Sequence, residues 1–322
     1  MPTRPRSRYG RTVTLPTRDT IVLYPGGATA SDGTVLHVQE TAGGLAAVVL
    51  DRTAFHPVDG HWPDQPADRG VLVLADGAHV AVAGAVVGAT DGQSLLVGAD
   101  VPVRTGTEGW VFVVVHLVPG GTSVAPGDRV RVEVDAGYRR ALSVGHTACH
   151  LASLALDRVL ADAWSKPVAV DALGAPAFDS LAIEQSEIIE RGSRDRYRIG
   201  RSLRKKGFDA TRFDEPAALA AAVDEVLAGW TASVAPVRVE VPDTALGARR
   251  SWVCALGDGE ARIPCGGTHV RSLAELGRVW VSFDVLDGDG ARTVVMSTFT
   301  DADATATVDD ASDRAGRSDQ EV

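Results

Sequence analysis

Four residues in two distant stretches have types and spacings that suit metal chemistry. In "SVGHTACHLASLAL" His146 and His150 stand four apart within an apolar run. Positions i and i+4 of an α-helix share one face, so both imidazoles can address a single point. Taken alone, such a pair equally suits a hydrogen-bonded polar seam inside a core. Far downstream, "IPCGGTHVRS" sets Cys265 and His269 at the same spacing around a Gly-Gly turn, a thiolate and imidazole half-site. The two halves together specify one metal site, and its nitrogen and sulfur donors favour zinc over the oxygen-seeking magnesium and calcium. Four protein ligands normally close a structural site, whereas catalytic zinc keeps a position for water. An exchangeable ligand would let the metal lower the pKa of water to about 7 and polarise an ester carbonyl, which suits hydrolysis. Cys149 is rotated around the helix away from the histidines, and both it and Cys254 read as small buried hydrophobes.

A helix and a loop must hold these donors, and the pattern supplies both. From Tyr138 the apolar residues Leu142, Leu151, Leu154, Leu156, Val159 and Leu160 recur at threes and fours, the mark of a long helix. Before it, from about Thr20 to Val134, short β-branched runs such as "AAVVLD" and "WVFVVVHLVPGG" alternate with turn signals, which predicts a small barrel or sandwich. After it come the alanine-rich helix "DEPAALAAAVDEVLAGWTASV" and four strand-like runs, which predict an α+β unit with an antiparallel sheet. The expected division is a flexible basic N-terminus (1–19), a β-barrel domain (20–136), a zinc-binding domain (137–300) and a disordered acidic tail (301–322).

The 322 residues carry a formal net charge of −10, which excludes nucleic-acid binding over the whole surface and confines any such site to a local patch. Three unevenly spread cysteines do not make the disulfide framework of a small secreted domain. No apolar run has the length of a membrane span and the basic N-terminal segment lacks a signal-like apolar core, so a soluble, cytoplasmic protein without membrane contact is expected.

With "HTACHLASLAL" and "PCGGTHV" both present, the chain resembles the alanyl-tRNA editing proteins, free-standing relatives of the editing domain of alanyl-tRNA synthetase and, more distantly, of threonyl-tRNA synthetase. The resemblance runs from about Ile21 to Phe299 and includes "VLDRTAFHPVDGHWPDQPADRG", similar to that family's first-domain motif "LDRTxFYP", a glycine-rich loop and "GGQPxDxG". It implies a small N-terminal β-barrel joined to a zinc-containing α/β editing domain that hydrolyses the ester linking a wrong amino acid to tRNA. His146, His150, Cys265 and His269 would be the zinc ligands and, with Gln65, the catalytic set. Thr53 would line the aminoacyl pocket and read a side-chain hydroxyl, joined by His56, His61, Asp68, Gly266 and Gly267. The family's "FYPxxGGQ" appears here as "FHPVDGHWPDQ", three residues longer, with the double glycine lost and His56, His61 and Trp62 introduced. Bulky side chains in place of glycines should reshape the pocket. The expected substrate is therefore either serine or glycine on alanine tRNA, or a threonine-like analogue such as fluorothreonine on threonine tRNA.

A local basic patch fits a charged tRNA acceptor end. Between Arg191 and Arg212 nine Lys and Arg residues face only Asp195 and Asp209, with Tyr197 and Phe208 interleaved for stacking on unpaired bases. Arg196, Arg198, Arg201, Arg204, Lys205 and Lys206 are the expected contacts, with Arg139 and Arg140 adding phosphate contacts near the metal. Two other classes of function fit the same residues. One is a tRNA-binding module with structural zinc; the other is a metal-dependent hydrolase of a small-molecule ester or amide.

Overall fold

The computed structural model describes residues 15–302 apart from residue 289. Most of the expected N-terminal segment (1–14) and acidic tail (303–322) lies outside the described residues.

The first half is built of strands: β1 (Ile21–Val22), β2 (Ala30–Glu40), β3 (Leu45–Leu50), β4 (Arg52–Thr53), β5 (Gly70–Val73), β6 (His79–Ala81), β7 (Gly84–Thr90), β8 (Leu95–Val97), β9 (Val111–Pro119) and β10 (Arg129–Val134). Eight of them form one antiparallel sheet in the order β6-β5-β10-β2-β3-β9-β7-β8, while β1 and β4 pair in parallel beside it. In β10 exposed and buried residues alternate, as expected of a strand with one solvated face. The unbroken apolar runs in β3 and β9 have another cause. Val48, Leu50, Val114 and Phe112 belong to the main core, whereas Ala47, Val49, Val113 and Val115 form a second cluster on the opposite face. Strands covered on both sides need apolar residues at every position.

The expected closed barrel requires correction, because the hydrogen-bonded order is open among the described residues. The run "VAVAGAVVGAT" is divided at Val82 and Ala83, so that β6 pairs with β5 while β7 pairs with β9.

The second half contains α1 (Ala136–Val159), α2 (Phe178–Ala182), β11 (Ile183–Ile189), β12 (Gly192–Ile199), α3 (Arg201–Lys205), α4 (Pro216–Thr231), β13 (Val237–Glu240), β14 (Ser251–Leu256), β15 (Gly259–Pro264), β16 (Val279–Gly288) and β17 (Ala291–Thr300). The expected α+β character with antiparallel sheets holds, in a four-stranded sheet β11-β12-β17-β16 and a three-stranded sheet β13-β14-β15. Asp135 starts α1 by accepting the Tyr138 N–H, which satisfies one of the unpaired donors at a helix N-terminus. The helix rests on the four-stranded sheet at Gly145, where a Cβ would strike the carbonyl oxygens of Ile189 and Gly192. Val144, Ala148, Leu151, Ala152 and Ala155 share a core with Val294 and Met296 of β17, Trp252 of β14, and Val223 and Leu227 of α4. Among the described residues no helix is long and apolar enough to cross a membrane.

Several contacts join the halves. The segment before β14 returns to the first half: Thr244 O accepts from Val22 N (2.8 Å), Leu246 N donates to Thr20 O (2.9 Å), and Leu246 enters the first core. Arg139 of α1 also reaches the first half, donating through Nε to Asp68 Oδ1 (2.6 Å), through Nη2 to Asp68 Oδ2, and through Nη2 to Ala54 O (2.8 Å), and Ile188 N donates to Asp64 O (2.8 Å). Asp68 also accepts the His56 N–H. The pair is buried, and its remaining hydrogen-bond capacity is largely met, as a buried ion pair requires.

Candidate metal centre

The helix face carrying His146 and His150 meets the loop after β15, which carries Cys265 and His269. Their donor atoms all lie within 4.8 Å of one another. Cys265 Sγ is 3.4 Å from His146 Nε2 and 3.3 Å from His269 Nε2. Gly267 makes the approach possible, since a Cβ there would run into the His146 ring and sit 2.6 Å from Gln65 Oε1. Its N–H also points at the thiol sulfur, at 3.4 Å.

The surrounding hydrogen bonds set the rings for ligation. His146 Nδ1 lies 2.7 Å from Gln65 Oε1, an acceptor-only atom, so the ring carries its proton on Nδ1 and presents the Nε2 lone pair to the cluster. Thr147 Oγ1 donates to Ser143 O (2.8 Å) and lies 3.2 Å from His269 Nδ1, which orients the second ring in the same sense. Outer partners of this kind fix the tautomer of metal-binding histidines. Burial depresses the basicity of all three: His150 falls to about 4, and His146 and His269 fall well below the usual imidazole range, with neighbouring imidazoles adding to the effect. They are therefore neutral, the form that binds metal. Burial raises the Cys265 thiol to about 12, so a cation must displace its proton.

The fit to a metal can be judged from His150. Its Nε2 is buried with no hydrogen-bond partner among the described residues, and a buried unsatisfied polar group is costly. A cation shared with the neighbouring nitrogens and sulfur would satisfy it. The four residues can hold a metal ion, and three imidazoles with one thiolate suit zinc.

The centre borders an open cavity of about 1050 Å³ between the halves, lined near the metal residues by Tyr24, His56, Trp62, Asp64, Gln65 and Arg250. Tyr24, Asp64 and Arg250 were not singled out in the sequence. Asp64 lies with Oδ2 3.7 Å from His146 Nε2, and burial raises its carboxyl to about 6. Arg250 is buried and held by Leu246 O (3.3 Å) and Ala245 O (2.6 Å). Arg250 lies in no recognisable motif, whereas Asp64 falls within the altered stretch "FHPVDGHWPDQ", directly before Gln65.

Other expected residues sit differently. Gln65 is 1% exposed and fully engaged, accepting from His146 Nδ1 and from Thr268 N (2.9 Å) and donating to Thr268 Oγ1 (2.9 Å). It positions His146 instead of presenting a free amide for catalysis. Thr53 does not line the cavity: it is fully buried, with its hydroxyl 2.9 Å from His116 Nε2 and accepting from Phe55 N (3.1 Å). No hydroxyl is left there to read a substrate. Asp68 and Arg139 are consumed by their mutual ion pair, and Arg140 pairs with Glu275 Oε2 (2.5 Å), which corrects the expected pocket and phosphate roles. His61 is exposed outside the cavity beside Asp59. His56 does line it, packed edge-on against Tyr24 at 4.9 Å, with burial lowering its pKa to about 4. Gly266 and Gly267 also line it.

The basic segment divides by strand parity. Arg194, Arg196 and Arg198 are exposed on β12, while Asp195, Tyr197 and Ile199 point inward. Arg201, Arg204, Lys205 and Lys206 are exposed on and just after α3. Tyr197 donates from its hydroxyl to Asp179 Oδ1 (2.9 Å), and Phe208 packs among Trp164, Phe178 and Phe213. Stacking on bases by these two aromatics is thereby excluded. Cys149 is buried with Leu142 and Ile188 as expected, and its Sγ also lies 3.6 Å from both oxygens of Asp195, which accept from Ser186 Oγ (2.6 Å) and Ser193 Oγ (2.7 Å). Cys254 is buried in the core as expected.

No family model matches the chain. It is similar to the alanine–tRNA ligase of Kineococcus radiotolerans, 28% identical over 255 residues covering 79% of this chain and 24% of that protein. It is likewise similar to the alanine–tRNA ligase of Halorubrum lacusprofundi, 27% identical over 88% of this chain and 26% of that protein. A shorter match to the alanine–tRNA ligase of Methanothrix thermoacetophila is 38% identical over 129 residues, 40% of this chain and 11% of the other. The chain thus spans about a quarter or less of the length of these relatives.

Proposed function

We propose that this protein is a free-standing aminoacyl-tRNA deacylase that removes a wrongly attached amino acid from tRNA in trans, in the cytoplasm, with zinc at His146, His150, Cys265 and His269. The convergence of those four donors at the edge of a cavity large enough for an aminoacylated nucleotide carries the reading. Similarity to alanine–tRNA ligases over most of the chain supports tRNA as the carrier.

Zinc held there supplies Lewis acidity that polarises an ester carbonyl and makes water acidic enough to act near neutrality. The chain's own residues do the rest. Gln65 and Thr147 hold His146 and His269 in their ligating tautomers. The cavity walls place the ester carbonyl against the centre, and Arg250 with Arg249 gives one wall a positive character suited to the phosphate next to the terminal ribose. Water adds to the carbonyl carbon, the bond to the ribose oxygen breaks, and that oxygen leaves as a hydroxyl with the proton water gave up. Free amino acid and intact tRNA are the products. Arg196, Arg198, Arg201, Arg204, Lys205 and Lys206 would meet the acceptor arm farther from the terminal nucleotide. The segment from 20 to 136 acts in this reading as one wall and the segment from 137 to 300 as the catalytic unit.

With the Thr53 hydroxyl engaged, the cavity selects its amino acid by the loop from His56 to Gln65. Serine or glycine on alanine tRNA, and a threonine-like analogue such as fluorothreonine on threonine tRNA, remain the substrates to compare. Purified protein is to be incubated with tRNA charged separately with serine, glycine, alanine, threonine and fluorothreonine. Release of one or more of these, abolished by chelation and restored by zinc, is expected. No release from any of them overturns the reading.

A further inference from the structure

The loop that selects the amino acid brings a charge to the centre. We infer that Asp64 is the binding site for the α-ammonium group of the amino acid being released. This rests on the deacylase reading and names what that site recognises.

Position and charge point to this role. Asp64 Oδ1 accepts the Gln65 N–H at 2.8 Å. Oδ2 is left on the side of the centre, 3.7 Å from the nitrogen of His146 that faces the metal donors. Among the described residues no Lys or Arg lies within ion-pairing distance of it. An unpaired, largely buried carboxylate is stabilised by a cation brought from outside. The α-amino nitrogen of an aminoacyl ester is two bonds from the carbonyl carbon, about 2.5 Å away. A carbonyl seated at the centre therefore brings that ammonium into the neighbourhood of Oδ2. Of the other cavity carboxylates, Asp59 accepts from Thr105 Oγ1 (3.1 Å) and His61 N (2.8 Å), Asp195 and Asp179 are bonded to Ser186, Ser193 and Tyr197, and Asp157 accepts from Asp179 N (2.7 Å); Asp171 accepts through Oδ1 from Leu173 N and Ala175 N and, unlike Asp64, has no contact with a metal donor among the described residues.

The test compares an ammonium with a hydroxyl in the same place. Seryl-tRNA and its deaminated counterpart, glyceryl-tRNA, differ only at the α-substituent; the threonyl pair serves if threonine tRNA is the substrate. Wild-type protein is expected to release the amino acid at least 10-fold faster, by kcat/KM, than the hydroxy acid. Asp64→Asn should bring the two within 2-fold of each other, chiefly by raising KM for the aminoacyl form. Binding of the hydrolysis-resistant amides of serine and glyceric acid with 3′-amino-3′-deoxyadenosine, followed by calorimetry, should show the same contrast without turnover. Zinc content of Asp64→Asn should equal that of wild type. An unchanged ratio in Asp64→Asn, or loss of zinc from it, overturns the assignment while leaving the deacylase reading standing. Absence of release from every charged tRNA by wild type overturns both.

Discussion

Helix α1 carries two polar clusters on different faces, and the way each is satisfied separates a functional centre from a structural one. On the face toward the loop after β15, His150 Nε2 is buried without a partner and four donor atoms converge with no hydroxyl between them. On the face toward β12, Cys149 meets Asp195, whose oxygens are taken up by Ser186 and Ser193. Burial perturbs both clusters, since Cys149 and Asp195 are raised as surely as the histidines are lowered. A shifted pKa therefore does not tell them apart. What distinguishes them is whether the protein completes its own hydrogen bonds, and of the two it is the histidine face that leaves a ring nitrogen unpartnered where a metal ion could bind.

Substitutions on the two faces sharpen this contrast, starting with the largest effect. Cys265→Ser should abolish stoichiometric zinc and slow ester hydrolysis by on the order of 10²–10³-fold, the scale of losing a preorganised electrostatic group. Cys149→Ser, measured by the same zinc analysis and release assay, should keep full metal content; equal loss from both would erase the distinction between the faces. Gln65→Ala comes next. Removing the acceptor that fixes His146 should weaken zinc by about 10–100-fold in a chelator competition, with the fold intact by circular dichroism.

Asp157 tests the structural side. Burial raises its carboxyl to about 9, above the unfolded value, so between about pH 4 and 9 the folded state holds a proton that the unfolded state has released. Stability should then fall as pH rises through that window. Asp157→Asn, which still accepts from Asp179 N through its Oδ1, should be more stable than wild type by on the order of 1–3 kcal/mol at pH 8 and close to it near pH 4 in denaturant titrations. A gain that did not grow with pH would contradict the assignment. The smallest effect is expected on the solvent side of β12. Arg196→Ala with Arg198→Ala should weaken tRNA binding several-fold and lower the slope of log affinity against log salt by about one per arginine, with kcat unchanged.

The metal donors were legible in the sequence because both halves of the site are local repeats of one spacing, and local spacing survives without knowledge of the fold. The inward direction of Tyr197 is carried by the alternation in "RDRYRI" that groups it with Asp195 and Ile199, and the expectation of base stacking passed over it by weighing composition above strand parity. The engagement of Thr53 was not legible, since its partner His116 is on β9 and the pairing exists only once the sheet is assembled. The same holds for Arg139 and Asp68, which look like surface cation and turn residue until α1 is set against the first half. The open sheet order turns on where a continuous apolar run divides, at Val82 and Ala83, and composition does not mark that point.

The return of residues 244–246 to the first half bears on how the molecule comes apart. Thr20, Val22 and Leu246 bind segments that are some two hundred residues distant in the chain, a long closure that a cut near residue 136 would sever. Released fragments would expose Leu246 on one side and the rim of its core on the other, an invitation to aggregate. The unit of folding is thus larger than the unit of sequence pattern, and the cavity wall and the metal site should melt together in a single cooperative transition.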